Sequence, residues 1–248
     1  MSFYHRLGKI PAKRHTQFRK PDGTLYAEQL VSTEGFSSDY SLIYHTHPPT
    51  LVKDIAASYS VEPKVALKNN MQNRSFLTFK TKPEADYIKS RVPLLVNSDL
   101  HILSAAPTAS MEDYFFKNAD ADEVIFVHKG NGILHTVYGE IAFMYGDYLV
   151  IPRGTIYKLS FKDSENRLMI TESFSPIRMP RRYQNKQGQL MEHAPFCERD
   201  IKLPTNLKTN DEKGDFKVMI KKQHHIFPYT YATHPFDAIG WDGFVYPF

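Results

Sequence analysis

The sequence predicts an all-β, mainly antiparallel fold, and three observations carry that prediction. Between residues 122 and 159 apolar residues (Val124, Phe126, Ile133, Ile141, Phe143) alternate with others, the two-residue period of a half-buried strand. Glycine turns at 129–132, 138–139 and 145–147 cut that stretch into pieces too short for helices. The 248-residue chain holds 15 Tyr, 17 Phe, 16 Pro and 12 Gly, a composition suited to many short strands and tight turns.

Taken in order, residues 1–30 form an extended arm, with a turn at Lys20-Pro21-Asp22-Gly23 and a strand at 24–31. Residues 41–45 (SLIYH) read as a strand stopped by Pro48-Pro49, because proline cannot donate to a ladder. A turn or two of helix is predicted at 51–59, a strand at 75–81 (SFLTFKT), and one or two strands across 92–106. After the central stretch, 168–174 (LMITESF) returns a strand and 175–213 is a long loop. Residues 216–222 (FKVMIKK) and 225–231 (HIFPYTY) are strand-like again. Their first segment places Phe216, Val218 and Ile220 on one face, and the aromatics that follow are too many for a solvated tail. Three parts result: 1–110 as arm and first strands, 111–174 as the barrel core, and 175–248 as linker loops and the opening strands of a second barrel.

Charge and cysteine usage exclude several function classes. The net charge is +4 with acids and bases interspersed, and Lys221-Lys222 is too short a run for a nucleic-acid patch. The single Cys197 forms no internal disulfide and lacks a nearby base, which fits a reducing, cytoplasmic setting. No apolar run approaches membrane-spanning length, and the basic N-terminus has no hydrophobic segment behind it.

The central stretch has a more specific order. Glu123 precedes a Gly-x-Gly turn by seven residues, Gly146-Asp147 follows, and then Pro152-x-Gly154. This order resembles the two motifs of the cupin barrel, a jelly roll. A metal-binding cupin carries H-x-H, then a Glu, and a final His three residues after the Gly of P-x-G. Here the Glu is Glu123, the paired His positions fall on Lys117 and Ala119 or on Phe116 and Asn118, and the last falls on Tyr157. One carboxylate cannot hold iron or zinc, so the resemblance implies a barrel without its metal. An inward Glu123 puts residues 125 and 127 inward and His128 outward. Buried there, Glu123 needs a partner such as Tyr157, Lys117 or Arg153.

Across the whole chain, 25–30 (LYAEQL), 44–50 (YHTHPPT), 122–155, Arg199-Asp200 and 234–248 (HPFDAIGWDGFVYPF) resemble homogentisate 1,2-dioxygenase of the short bacterial type. That resemblance implies a two-barrel enzyme of tyrosine and phenylalanine catabolism. It cleaves the ring of homogentisate with O2 to give maleylacetoacetate, at Fe(II) held by two His and a Glu. It also implies a homo-oligomer without nucleic-acid or membrane partners. Those ligands belong to the family's second half. No catalytic, cofactor-binding or metal-binding residue is therefore assigned in this chain, no metal is expected on it alone, and the isolated chain is expected to be inactive.

The other histidines have structural readings beside functional ones. His45-x-His47 has ligand-like spacing but runs into Pro48-Pro49. His224 and His225 are adjacent, so on a strand they would face opposite sides. His128 and His135 flank a turn and read as surface residues, and Trp241 reads as a core or interface anchor. Two alternatives stay open: a metal-free cupin module that binds a small molecule or a partner protein, and a small metal enzyme using His45, His47 or His101.

Overall fold

The computed structural model describes residues 4–35, 37–66, 73–186 and 189–243. Its strands, in chain order, are β1 (His5–Gly8), β2 (Ala27–Glu34), β3 (Ser37–His45), β4 (Val52–Ile55), β5 (Tyr59–Ser60), β6 (Arg91–Val96), β7 (Leu100–Ala105), β8 (Phe115–Asn118) and β9 (Asp122–Lys129). There follow β10 (Gly132–Thr136), β11 (Gly139–Phe143), β12 (Tyr148–Ile151), β13 (Ile156–Phe161), β14 (Arg167–Ser173), β15 (Lys213–Lys222), β16 (His225–Thr233) and β17 (Ala238–Gly243). The fold is all-β, as the alternation predicts, and its 3₁₀ turns are three residues each.

Two sheets face each other as a cupin-like sandwich. The larger runs β11-β10-β13-β8-β15-β16-β4, with β5 also on β16; the smaller runs β12-β9-β14-β7-β6. All of these pairs are antiparallel except β15 on β8. Among the described residues no strand of one sheet pairs with a strand of the other. The barrel expected to close over 111–174 is therefore an open two-layer structure. Its core lies between the layers: Ile125, Val127, Ile151 and Ile170 from the smaller sheet meet Phe116, Leu134, Tyr157 and Leu159 from the larger.

Two local expectations fail for a common reason. Residues 51–59, read as helix, form β4 and β5, because the free edge of β16 offers their backbone a ladder. Residues 75–81, read as a strand, hold only a 3₁₀ turn at Thr78–Lys80 with Leu77 and Phe79 exposed, since no sheet edge reaches them. At 97–100 the turn forms as expected, with the Asn97 side chain accepting from the Asp99 and Leu100 amides.

The C-terminal strands, expected to open a second barrel, pair instead with strands from earlier in the chain. β15 and β16 extend the larger sheet, and β17 sits between β1 and β3 in a separate sheet of order β1-β17-β3-β2. The aromatics judged too many for a solvated tail are packed inside where the structure describes them: Tyr231, Phe236 and Trp241 are all buried. Phe244, Tyr246 and Phe248 lie outside the described residues. The N-terminal arm closes on β17 so tightly that a Cβ on Gly240 would sit 2.1 Å from the Lys9 carbonyl oxygen.

Trp241 ties the four-stranded sheet to the sandwich. Its ring meets Tyr138 edge-on at 5.5 Å, and its Nε1 donates to the Tyr138 carbonyl at 2.8 Å. Trp241→Ala would leave a cavity and an orphaned carbonyl. Urea unfolding should show a loss of about 3–5 kcal/mol; an unchanged midpoint would mean that this sheet is not part of the cooperative unit.

Candidate functional site: a buried charge cluster between the sheets

Strand register places two carboxylates side by side in the interior. Glu123 on β9 lies directly opposite Glu172 on β14, and Glu172 lies opposite His101 on β7. Glu123 and Glu172 are both buried. Like charges facing each other across neighbouring strands repel, so this row is stable only with cations against it.

The cations and donors come from several elements. Arg91, at the start of β6, uses Nη2 to reach Glu123 at 2.5 Å and Glu172 at 2.7 Å. From the larger sheet, Lys221 on β15 donates to both Glu172 oxygens at 2.6 Å. Asn118 on β8 donates to Glu123 at 3.1 Å and to Glu172 at 2.9 Å. The Tyr157 hydroxyl on β13 donates to Glu123 at 2.7 Å and lies 3.2 Å from the Tyr87 hydroxyl. The cluster is thus a bridge between the layers, with carboxylates on one sheet and donors largely on the other.

Titration follows from this geometry. Burial alone would raise the Glu172 carboxyl, but the charge of Arg91, a contact with His101 and the Lys221 ammonium outweigh it and hold it well below the usual carboxylate range. Burial pushes Tyr157 well above the ordinary phenol value, with the Glu123 charge adding to it, so its proton stays in place to be donated. Arg91 is raised by the two carboxylates against its own burial.

The cupin ligand positions resolve here. Asn118 and Tyr157 both donate to Glu123, which pairs with Arg91, and the Arg91 guanidinium carbon lies 5.2 Å from the Phe116 ring centroid. The register with Phe116 and Asn118 is therefore the structural one, and Lys117 points to the other face. Two cations stand against the carboxylates that a metal would need, and the Asn118 nitrogen donates into the same point. Fe(II) does not fit this donor set. Among the described residues no group of three or more His, Cys, Asp or Glu side chains could hold a metal ion.

The partners expected for Glu123 are partly corrected. Tyr157 is one. Lys117 is not, and Arg153 instead donates to the Phe174 carbonyl at 2.9 Å. Sequence reading missed Arg91, Glu172 and Lys221, and it weighed Asn118 and His101 only as metal-ligand positions, not as members of this cluster. Glu172 was legible, because it continues the inward series Leu168, Ile170. Lys221 was hidden because both faces of β15 are covered: Phe216, Val218 and Ile220 pack on one side, while Met219 packs toward the sandwich core. Arg91 follows a turn and carries no periodic signal.

The tempting histidines find structural partners. His45 joins Asp237 at 2.6 Å and Gln29 at 3.0 Å; His47 reaches Asp211 at 2.5 Å. His101 stacks on His224 at 5.4 Å, and His224 sits at positive φ in the turn between β15 and β16. His128 faces outward against Phe79, and His135 bonds Glu140 and Ser160. Cys197 is exposed.

Arg91→Met should destabilise the protein by roughly 3–5 kcal/mol, because it leaves buried carboxylates short of a cation. The sign of the pH effect is fixed. A carboxyl depressed in the folded state adds stability above its unfolded value and loses it as pH falls toward its folded value. Urea unfolding at a series of acid pH values should therefore show wild-type stability falling with pH, and a flatter slope for Arg91→Met. Equal slopes would show that Arg91 does not set the Glu172 titration.

A protein of Saccharolobus solfataricus named as a putative dioxygenase is 40% identical over 248 residues, all of this chain. The chain spans 64% of that relative's length. Among solved structures, a cupin-2 domain protein from Shewanella frigidimarina is 25% identical with a TM-score of 0.30, over 34% of this chain and 79% of that one. An RmlC-like cupin from Desulfovibrio desulfuricans is 18% identical with a TM-score of 0.33, over 43% of this chain and 100% of that one. The family model described as homogentisate 1,2-dioxygenase N-terminal matches residues 7–248, and the chain belongs to that family.

Proposed function

We propose that this chain is the scaffold part of an Fe(II)-dependent homogentisate 1,2-dioxygenase whose iron is held by residues outside it. The observation that carries this reading is the Arg91–Lys221 pair set against Glu123 and Glu172, where a cupin would place its metal. A divalent ion brought beside two fixed cations would meet repulsion in a poorly screened interior. Family membership supports the dioxygenase class, and the share of the relative's length that the chain spans supports a site elsewhere.

In this reading the iron, when bound in the longer protein, supplies the electrophilic centre at which the aromatic ring and O2 meet. The present chain gives that site a rigid support and copies a surface for assembly. Homo-oligomer formation belongs to the same proposal. A cross-sheet row on the outer face of the smaller sheet (Tyr148, Phe126, Met169, Ser104, Val92) supports it, with Tyr148, Met169 and Val92 exposed. The free, exposed Cys197 is consistent with a reducing cytoplasm. No helix among the described residues is long and apolar enough to cross a membrane.

The purified 248-residue chain, given Fe(II), ascorbate, oxygen and homogentisate, should form no maleylacetoacetate by absorbance and retain no stoichiometric iron by metal analysis. A version extended to the length of the relative should do both. Turnover by the 248-residue chain at the rate of the extended one would overturn the proposal.

A further inference from the structure

Strand alternation sends Lys117 away from the charge cluster, into a cleft of about 310 Å³ between the four-stranded sheet and the outer face of the larger one. That volume is at the lower end of small-molecule sites, roughly 300–1,000 Å³. The walls mix polar and apolar side chains in about equal share, with Val31, Ile43, Val137 and Ile156 among the apolar ones. The Pro152-Arg153-Gly154 turn lies beside the lysine. Gly154 has a φ of +84°, and a Cβ there would stand 3.9 Å from Lys117 Cε.

The lysine is partly buried and has nothing to bind. Among the described residues its ammonium makes no hydrogen bond or ion pair, and burial lowers its pKa with no compensating carboxylate. The acid nearest in the lining, Asp237, is already occupied by His45, Thr46 and the His47 amide. Arg153, at the same cleft, adds positive charge. A second polar group is also unpaired: the Tyr231 hydroxyl is buried without a hydrogen-bond partner, and burial pushes it up to about 12, so it remains a donor at neutral pH. A partly desolvated cation without an anion is costly unless something supplies one.

We propose that this cleft is a binding site for a small carboxylate with an apolar body, the carboxylate paired to the Lys117 ammonium and the body lying on the apolar walls. Tyr231 offers a donor to a polar group elsewhere on the ligand. The inference is independent of the ring-cleavage reading, because it uses residues that the charge cluster does not.

Benzoate serves as the probe, with acetate as the charge without the body and benzyl alcohol as the body without the charge. Calorimetry or NMR titration of the protein should show benzoate binding more tightly than either control. Lys117→Met should weaken benzoate by about tenfold or more, the loss of a charge-assisted contact, while Lys117→Arg should retain most of it. Thermal unfolding should not be lowered in either variant, since Lys117 has no partner to lose and Lys117→Met removes a partly desolvated charge. Benzoate that fails to bind, or that binds Lys117→Met as well as the wild type, would overturn the proposal.

Discussion

Two carboxylates held next to each other inside the sandwich are the constraint on which the rest depends. At a separation of 4 Å, a pair of unit charges is worth about 4 kcal/mol at an effective dielectric of 20. Glu123 and Glu172 would push β9 and β14 apart by an energy of that order if nothing opposed it. Arg91 and Lys221 bring the local charge to zero, and they do so from different directions. One consequence is positional: Lys221 and Asn118 belong to the larger sheet, so satisfying the carboxylates fixes how the two layers sit. Hydrophobic contact between Ile125, Ile170, Leu134 and Leu159 drives the layers together without specifying register as sharply, because apolar packing has little direction. The polar cluster supplies that direction.

Much of this was legible in the sequence where a single face is buried. A period of two fixes every residue of a strand once one is placed, and an inward Glu123 correctly put Val127 inside and His128 outside. Tyr157 was found as its partner because the P-x-G turn sets the spacing to the next strand. Arg91 could not be found that way. It reaches the cluster from the edge strand β6, and only the fold brings residue 91 beside residues 123 and 172. The same limit applies to His45, whose acidic partner Asp237 is 192 residues away in the chain. Long-range pairing leaves no local trace.

Local propensity misled where tertiary edges decide. Residues 51–59 have enough Ala, Asp and Leu to permit helix, yet they lie along β16 and complete its ladder. Residues 75–81 alternate well but have no strand beside them, and alternation without a partner does not make a sheet. The C-terminal strands were recognised as strands and expected to open a second barrel, whereas β15 and β16 extend the larger sheet. Their partners, β8 and β3, pair with them across 103 or more residues of chain, as the parallel pairing of Val218 with Phe115 (103 apart) shows. Nothing in 215–243 states which sheet they will join.

Replacing a metal by a guanidinium changes what a cupin-like interior can do. A metal ion has open positions and a tunable charge, so substrate can enter its coordination sphere. Arg91 cannot be deprotonated at accessible pH, and its Nη2 is already shared between two carboxylates. The aromatic rings of Tyr87 and Phe116 lie against it, and its side chain is almost wholly buried. The interior has therefore become a fastening, and chemistry on this chain must use its outer surfaces. The cleft with Lys117 is such a surface. The same alternation that turns Asn118 inward to the cluster turns Lys117 outward, so one short strand serves the fastening with one residue and presents an unpaired cation with the next.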